Sequence, residues 1–320
     1  MTDSKPVLVS GVKPTGDLHI GNYFGAMRQF VELTKEGKYR PFIFIADYHA
    51  LNTMQDAEEM RRRTREIVMA YLAIGLDPKE VIFFKQSDVP AHTELAWIFE
   101  TITTMPYLMR AHAFKDAEAK NKEINVGTFN YPMLMAADIL LYDADIVPVG
   151  ADQKQHIEIT RGTAEKFNRV FKTNVFKLPE PHILPDVAVV PGTDGQKMSK
   201  SYGNVIPLFG TREELAKAVM GIVTDSSGDR PENVYQIHRL FRSEVNLDPL
   251  YEEHRGNYRA LKETLIEDLD RYLAPMRAKY EELQKDSSIV EEVLADGKRE
   301  ARAISEAKME QVRRAIGVAY

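Results

Sequence analysis

Val7-Leu8-Val9-Ser10-Gly11-Val12-Lys13-Pro14-Thr15-Gly16-Asp17-Leu18-His19-Ile20-Gly21-Asn22 is the stretch on which the fold turns. Its first six residues form a short apolar run. A Pro/Gly turn comes next, and a helical pattern opens just after His19, so the segment reads as strand, turn and helix start. The same order recurs downstream. Apolar runs at 42–46, 81–84 and 146–149 read as buried strands, and helical patterns fall at 23–35, 57–74, 92–104 and 153–171. Such alternation predicts an α/β fold class, a Rossmann-like doubly wound parallel sheet with helices on both faces. Ligands of these sheets bind beyond the carboxyl ends of the strands, where the turn after Val12 and the loop Asp47-Tyr48-His49 both fall.

From about residue 211 the pattern becomes helical, with segments expected at 212–223, 234–241, 257–286 and 289–316. Pro275 is expected to interrupt or kink the third. The resulting division is a catalytic domain at 1–207, with a connective insertion at about 105–145, and a C-terminal all-helical domain at 208–320. The 320 residues, 44% hydrophobic and 28% charged, have the composition of an ordinary globular protein. No apolar run approaches the roughly 18 residues of a membrane span, and the polar start lacks a signal-peptide core, so a cytoplasmic protein without membrane partners is expected. With no cysteine, disulfides, thiolate nucleophiles and cysteine metal sites are excluded. A net charge of −6 counts against nucleic-acid binding over the whole surface. A local basic patch is expected on the last helix, from Lys298, Arg299, Arg302, Lys308, Arg313 and Arg314 against Glu300, Glu306 and Glu310.

A second segment, Lys197-Met198-Ser199-Lys200-Ser201, lies just past the turn Pro191-Gly192-Thr193-Asp194-Gly195. Its two lysines and two hydroxyls suit phosphate, and the helix start at His19 offers unpaired N–H groups and partial positive charge. Together they point to a nucleoside triphosphate held between a helix start and a basic loop. The chain contains no G-x-x-x-x-G-K-[ST] and no G-x-G-x-x-G after the first strand, which argues against a P-loop NTPase or a dinucleotide dehydrogenase. Gly21 and Gly25 would let a ligand or a packed neighbour come close to the first helical turns.

The two segments resemble the HIGH and KMSKS signatures of class I aminoacyl-tRNA synthetases. The block Tyr131-Pro132-Met133-Leu134-Met135-Ala136-Ala137-Asp138-Ile139-Leu140-Leu141-Tyr142, with Asp145-Ile146-Val147-Pro148-Val149-Gly150-Ala151-Asp152-Gln153-Lys154-Gln155-His156, is similar to bacterial-type tryptophanyl-tRNA synthetases. So are Gly21-Asn22-Tyr23 and Met309-Glu310-Gln311, and the likeness runs from about Val9 to Gly317. On a helix, Tyr131, Met135, Asp138 and Tyr142 share one face. A carboxylate among Met, Ala, Ile and Leu needs a donor, from internal tyrosine or backbone or from a ligand. An indole, flat, apolar and bearing one N–H, would suit it. That inference fails if neighbouring side chains already occupy the Asp138 oxygens.

The resemblance implies ATP-dependent activation of L-tryptophan to tryptophanyl-adenylate. It also implies transfer to the 3′-terminal adenosine of tRNA(Trp), through the 2′-hydroxyl. It places tryptophan against Asp138, Tyr131, Met135, His49 and Gln153. ATP falls to Lys13, Pro14, Thr15, Gly21, Asn22, Gly150, Ala151, Asp152, Lys197, Met198, Ser199, Lys200 and Ser201. Catalysis falls to His19, Asn22, Lys197 and Lys200. Mg²⁺ would be held through the ATP phosphates, with no metal site on the protein, and a homodimer is implied. The helical domain would read the anticodon. Lys13, Val9 and Ala117 depart from the common pattern, leaving Lys115 or Lys120 to assist pyrophosphate. Tyrosyl-tRNA synthetases, small-molecule nucleotidyltransferases of the same superfold and binding-only paralogues are the rival readings.

Overall fold

The computed structural model describes residues 5–14, 16–111, 114–115, 118, 124–149, 154–183, 190–224 and 230–319. Five parallel strands form one sheet: β1 Val7–Val12, β2 Arg40–Ile45, β3 Ile82–Lys85, β4 Ile146–Val149 and β5 Glu180–Ile183. Their order is β3-β2-β1-β4-β5. The chain winds outward from β1 to β3, then returns to β4 on the other side of β1. The crevice at which the direction reverses therefore opens between β1 and β4.

Alternation along the strands builds two cores. Leu8, Ile43, Ile45 and Phe83 enter one, whereas Val9, Phe42, Phe44, Ile82 and Phe84 enter the other. Helical layers cover both faces. α1 Ile20–Asn22 runs through a π-helical turn, Tyr23–Met27, into α2 Arg28–Lys35. Next come α3 Asp47–Ala50, α4 Ala57–Ala73, α5 Ala91–Ile102, α6 Met105–Leu108, α7 Val126–Leu140 and α8 Lys154–Val170. Asp56 caps α4 by accepting from the N–H groups of Glu58 and Glu59, each at 2.9 Å. The fifth strand was not legible in the sequence, because Glu180-Pro181-His182-Ile183 carries one aliphatic residue and a proline. Its place at the sheet edge is where proline is tolerated.

The C-terminal part contains α9 Arg212–Met220, α10 Glu232–His238, α11 Glu244–Glu253, α12 Tyr258–Lys285 and α13 Ser288–Ala315. A Thr211/Glu214 capping box opens α9. The interruption expected at Pro275 does not occur: α12 continues through it, with Pro275 on the exposed side. α13 runs along the open edge of β3. Val290 joins the first core, Ala301, Met309 and Val312 join the second, and Gly297 lies so close to the Phe83 backbone that a Cβ would collide with its carbonyl. The last helix thus covers an edge that would otherwise present unpaired N–H and C=O groups.

This packing corrects the reading of α13 as a free basic patch. Lys298 pairs with Asp88, Arg299 with Asp296, Lys308 with Asp143, Arg313 with Glu94 and Glu306, and Arg314 with Glu310. Arg302 donates to the Asp88 carbonyl. Much of this charge holds the helix to the sheet domain. No helix among the described residues is long and apolar enough to cross a membrane.

Candidate active site

Val12 is in register with Ile45, and Ile45 with Lys85, so β1, β2 and β3 end at one level and the loops beyond them open on the same side. After β1, Lys13 reaches solvent, yet the protein atoms crowded around it lower its pKa by desolvation. Pro14 is buried. Thr15, Gly150, Ala151, Asp152 and Gln153 lie outside the described residues, as do Ala117 and Lys120, and Lys115 is exposed.

His19 is the residue capping α1, with extended backbone (φ −123°, ψ 164°), and its N–H donates to Asn22 Oδ1 at 3.1 Å. The segment is sewn to the stretch after the basic loop: Ile20 N donates to the Ile206 carbonyl and Leu208 N to the Leu18 carbonyl, both at 3.0 Å. Burial, then the Lys200 charge, push the His19 pKa down, so the imidazole is neutral near pH 7. Its Nδ1 is buried without a hydrogen-bond partner. A Cβ at Gly21 would come within 2.8 Å of that nitrogen, which is why glycine stands there. At Gly25 a Cβ would meet nothing within 4 Å, so the close packing entertained for it is absent.

The basic loop has a firm frame and exposed cations. Met198 is buried, and its N–H donates to the Val190 carbonyl at 2.9 Å. Asn204 ties the loop together: its amide donates to Asp194 Oδ1 at 2.6 Å and to the Lys197 carbonyl at 3.2 Å, while its oxygen accepts from Ser199 N at 2.8 Å. Ser199 and Ser201 hydroxyls share a hydrogen bond of 2.9 Å. Lys197 and Lys200 stay exposed, and Lys200 Nζ donates to Asp17 Oδ2 at 2.7 Å. That bond holds the Asp17 carboxyl below the usual range.

A second, buried cluster is built from α7 and from the segments that begin where β2 and β3 end. Asp138 is 1% exposed. Its Oδ1 accepts from Gln86 Nε2 at 2.7 Å and is 2.6 Å from His92 Nδ1, and its Oδ2 is 2.9 Å from His49 Nε2. Burial pushes the carboxyl up, but the hydrogen bonds from His49 and His92 outweigh it and bring it to about 2. The argument from an unpartnered carboxylate to an indole is therefore overturned, because protein donors already meet the demand of the buried charge. They are two histidines and an amide, not the tyrosine or backbone donors expected. His49 also differs from its reading as a loop residue: it sits in the helical turn α3 and is buried.

Of the four residues expected on one helix face, Tyr131, Met135 and Asp138 lie on α7, whereas Tyr142 falls in the turn after it. The Tyr131 ring packs edge-on to His49 with centroids 6.1 Å apart, its hydroxyl is 3.0 Å from His156 Nε2, and Met135 is half-buried beside the core. Tyr142 places its hydroxyl 2.8 Å from His92 Nε2. Sequence reasoning missed Gln86, His92 and Asp17. The signal for the first two was their position just past the carboxyl end of β3, in the zone already singled out for His49.

Comparison with known proteins gives concordant relatives. The family model of class I tRNA synthetases for tryptophan and tyrosine (W and Y) matches residues 1–294. The tryptophan–tRNA ligase of Fusobacterium nucleatum is 47% identical over 318 residues, covering 97% of both chains. That of Rhodopirellula baltica is 42% identical over 320 residues, covering 97% of this chain and 99% of that one. The crystal structure of tryptophanyl-tRNA synthetase from Campylobacter jejuni, complexed with ADP and tryptophan, superposes with a TM-score of 0.90 at 42% identity, covering 97% of this chain and 99% of that one. The enzyme from Mycoplasma pneumoniae gives 0.80 at 30% identity, covering 98% of each chain.

Proposed function

The chain belongs to the tryptophanyl-tRNA synthetases, within the class I tRNA synthetases, and from that premise we propose how its residues perform the reaction. L-Tryptophan is activated with ATP and then esterified to tRNA(Trp). The tryptophan carboxylate attacks the α-phosphate in line, and pyrophosphate leaves. The nucleophile is already ionised, so no general base is needed; the protein contributes positioning and charge neutralisation. The observation that carries this reading is the joining of the two signature segments by the backbone bonds between Leu18–Ile20 and Ile206–Leu208 and by the Lys200–Asp17 pair.

His19, neutral and with an unused Nδ1, and Asn22 face the triphosphate. Lys197 and Lys200 neutralise the β- and γ-phosphates, Lys200 exchanging the Asp17 carboxylate for phosphate oxygen. The donor set here is cationic and hydroxylic, which fits phosphate oxygens rather than a bare metal, so Mg²⁺ enters on the triphosphate. Lys13, Pro14, Thr15, Gly21, Gly150, Ala151, Asp152, Met198, Ser199 and Ser201 complete the ATP side. Tryptophan lies against Tyr131, Met135, His49 and Gln153, with its N–H on Asp138, a placement that rests on the family likeness and no longer on an unpartnered carboxylate. A carboxylate offers about four acceptor positions, of which three are in use, so one remains. The adenylate is then passed to the 2′-hydroxyl of the terminal adenosine, and the C-terminal helices read the anticodon.

We place the enzyme in the cytoplasm as a homodimer. Supporting the dimer, Trp97, Met105 and Val126, on α5, α6 and α7, are 67%, 66% and 74% exposed. Trp97 is the only tryptophan, so its emission should shift to shorter wavelength as protein concentration rises through dimerisation. The function is tested by charging purified tRNA(Trp) with labelled tryptophan. Adenylate formation without transfer would reduce the chain to a nucleotidyltransferase; charging with tyrosine instead would move it to the sister branch.

A further inference from the structure

The bonds around Asp138 are unequal on its two oxygens. Oδ1 takes Gln86 Nε2 at 2.7 Å and His92 Nδ1 at 2.6 Å, while Oδ2 takes His49 Nε2 alone at 2.9 Å. Each carboxylate oxygen has about two lone-pair positions. Oδ1 is therefore full and Oδ2 has one position left. An ionised carboxylate only accepts, so His92 Nδ1 carries a proton. The Tyr142 hydroxyl lies 2.8 Å from the ring's other nitrogen, Nε2, and donates to it whenever that nitrogen is bare. Tyr142, His92 and Asp138 form one hydrogen-bonded chain, with His92 at 0% exposure.

We propose that Gln86, His92 and Tyr142 are positioning residues for substrate choice: Gln86 and His92 saturate Oδ1 of Asp138, Tyr142 holds His92, and Oδ2, beside His49, is left as the single acceptor offered to an indole N–H. This rests on the reading of Asp138 as the indole acceptor. Tyr142 acts three hydrogen bonds from the substrate, by fixing which His92 nitrogen bears the proton. With Oδ1 unsaturated, the carboxylate could rotate and receive the indole poorly, and an analogue without the N–H would be spared that loss.

The test compares tryptophan with its analogue bearing sulfur in place of the indole N–H (3-benzothienylalanine) in ATP–pyrophosphate exchange. His92→Leu should raise the tryptophan KM and lower the tryptophan-over-analogue preference by about tenfold or more, the order expected for a bond to a charged group. The analogue's own kcat and KM should stay within about threefold, a split that general loosening of the fold would not give. His92→Asn, whose amide stands near the Nδ1 position, should recover much of the preference. Tyr142→Phe keeps the volume of the side chain and should lower preference severalfold; it carries the test alone if His92→Leu fails to fold. Unchanged preference in Tyr142→Phe and in any folded His92→Leu protein, together with its loss in Asp138→Asn, would overturn the relay while leaving Asp138 as the acceptor. Retained preference in a folded Asp138→Ala protein, which has no side-chain acceptor there, would overturn the acceptor reading itself, and the relay with it.

Discussion

Two aspartates show how differently the two ends of the cleft are built. Asp138 is 1% exposed and surrounded by Gln86, His92 and His49, whereas the Asp17 side chain is 80% exposed and holds Lys200 at 2.7 Å with Arg62 at 3.9 Å. A buried charge is stable only with its donors in place, and breaking such a group costs about 3–5 kcal/mol. An exposed pair contributes about 0–1 kcal/mol, so phosphate can displace it. In the proposed function the end given to the amino acid is thus preorganised and fixed, and the end given to phosphate is held by contacts weak enough to be exchanged. That division suits a reaction in which the substrate must be chosen before the triphosphate is gripped.

The comparison breaks most readily at Asp138. Asp138→Ala leaves three buried donors without an acceptor and should lower unfolding free energy by about 3–5 kcal/mol in urea titrations. Tryptophan-dependent exchange should fall with it. A loss under about 1 kcal/mol would mean the network is not the fixed element claimed. Lys200→Ala should invert the pattern. Pyrophosphate exchange should drop by about 10²–10³, as for removal of a preorganised electrostatic group, with stability changed by less than about 1 kcal/mol. An unchanged exchange rate would remove the role of charge closure.

Acid sharpens the contrast by separating the groups in pH. His19 and His238 both have lowered pKa values, mainly through burial, with Asp268 partly opposing it at His238. Between the folded and unfolded values the unfolded chain binds more protons. Their contribution to stability is therefore complete above about pH 6.5 and lost as pH falls through the folded values. Asp138 follows the same sign in a lower window: held at about 2, its contribution is present above the usual carboxylate value and goes only as pH approaches 2. Urea midpoints should fall between about pH 7.5 and 5.5 in the wild-type chain, and less so in His238→Asn. The smallest effect is expected from Asp17→Asn. Freed from its competitor, Lys200 should meet ATP more readily, lowering the ATP KM by about twofold to fivefold, within the worth of an exposed pair.

Much of this molecule is legible in the sequence where the signal is local. The strand Val7–Val12 and the helix start at His19 appear as read, because strand, breaker and cap lie close together in sequence. Met198 could be placed in a basic loop, but not recognised as the buried anchor that lets Lys197 and Lys200 project. Pairings between distant elements were hidden. Nothing near Asp138 in sequence announces Gln86 and His92, which reach it only once α5 and the turn after β3 fold against α7. The charges of α13 looked available because their partners, Asp88, Glu94 and Asp143, lie on other elements. α11 was masked by Pro249 and a short apolar pattern in which Leu247 and Tyr251 alone are buried.

The most direct test is amino-acid-dependent ATP–pyrophosphate exchange with all twenty amino acids offered singly. Exchange should be rapid with tryptophan and negligible with the other nineteen, tyrosine and phenylalanine included. Comparable exchange with tyrosine, or none with tryptophan, would contradict the account.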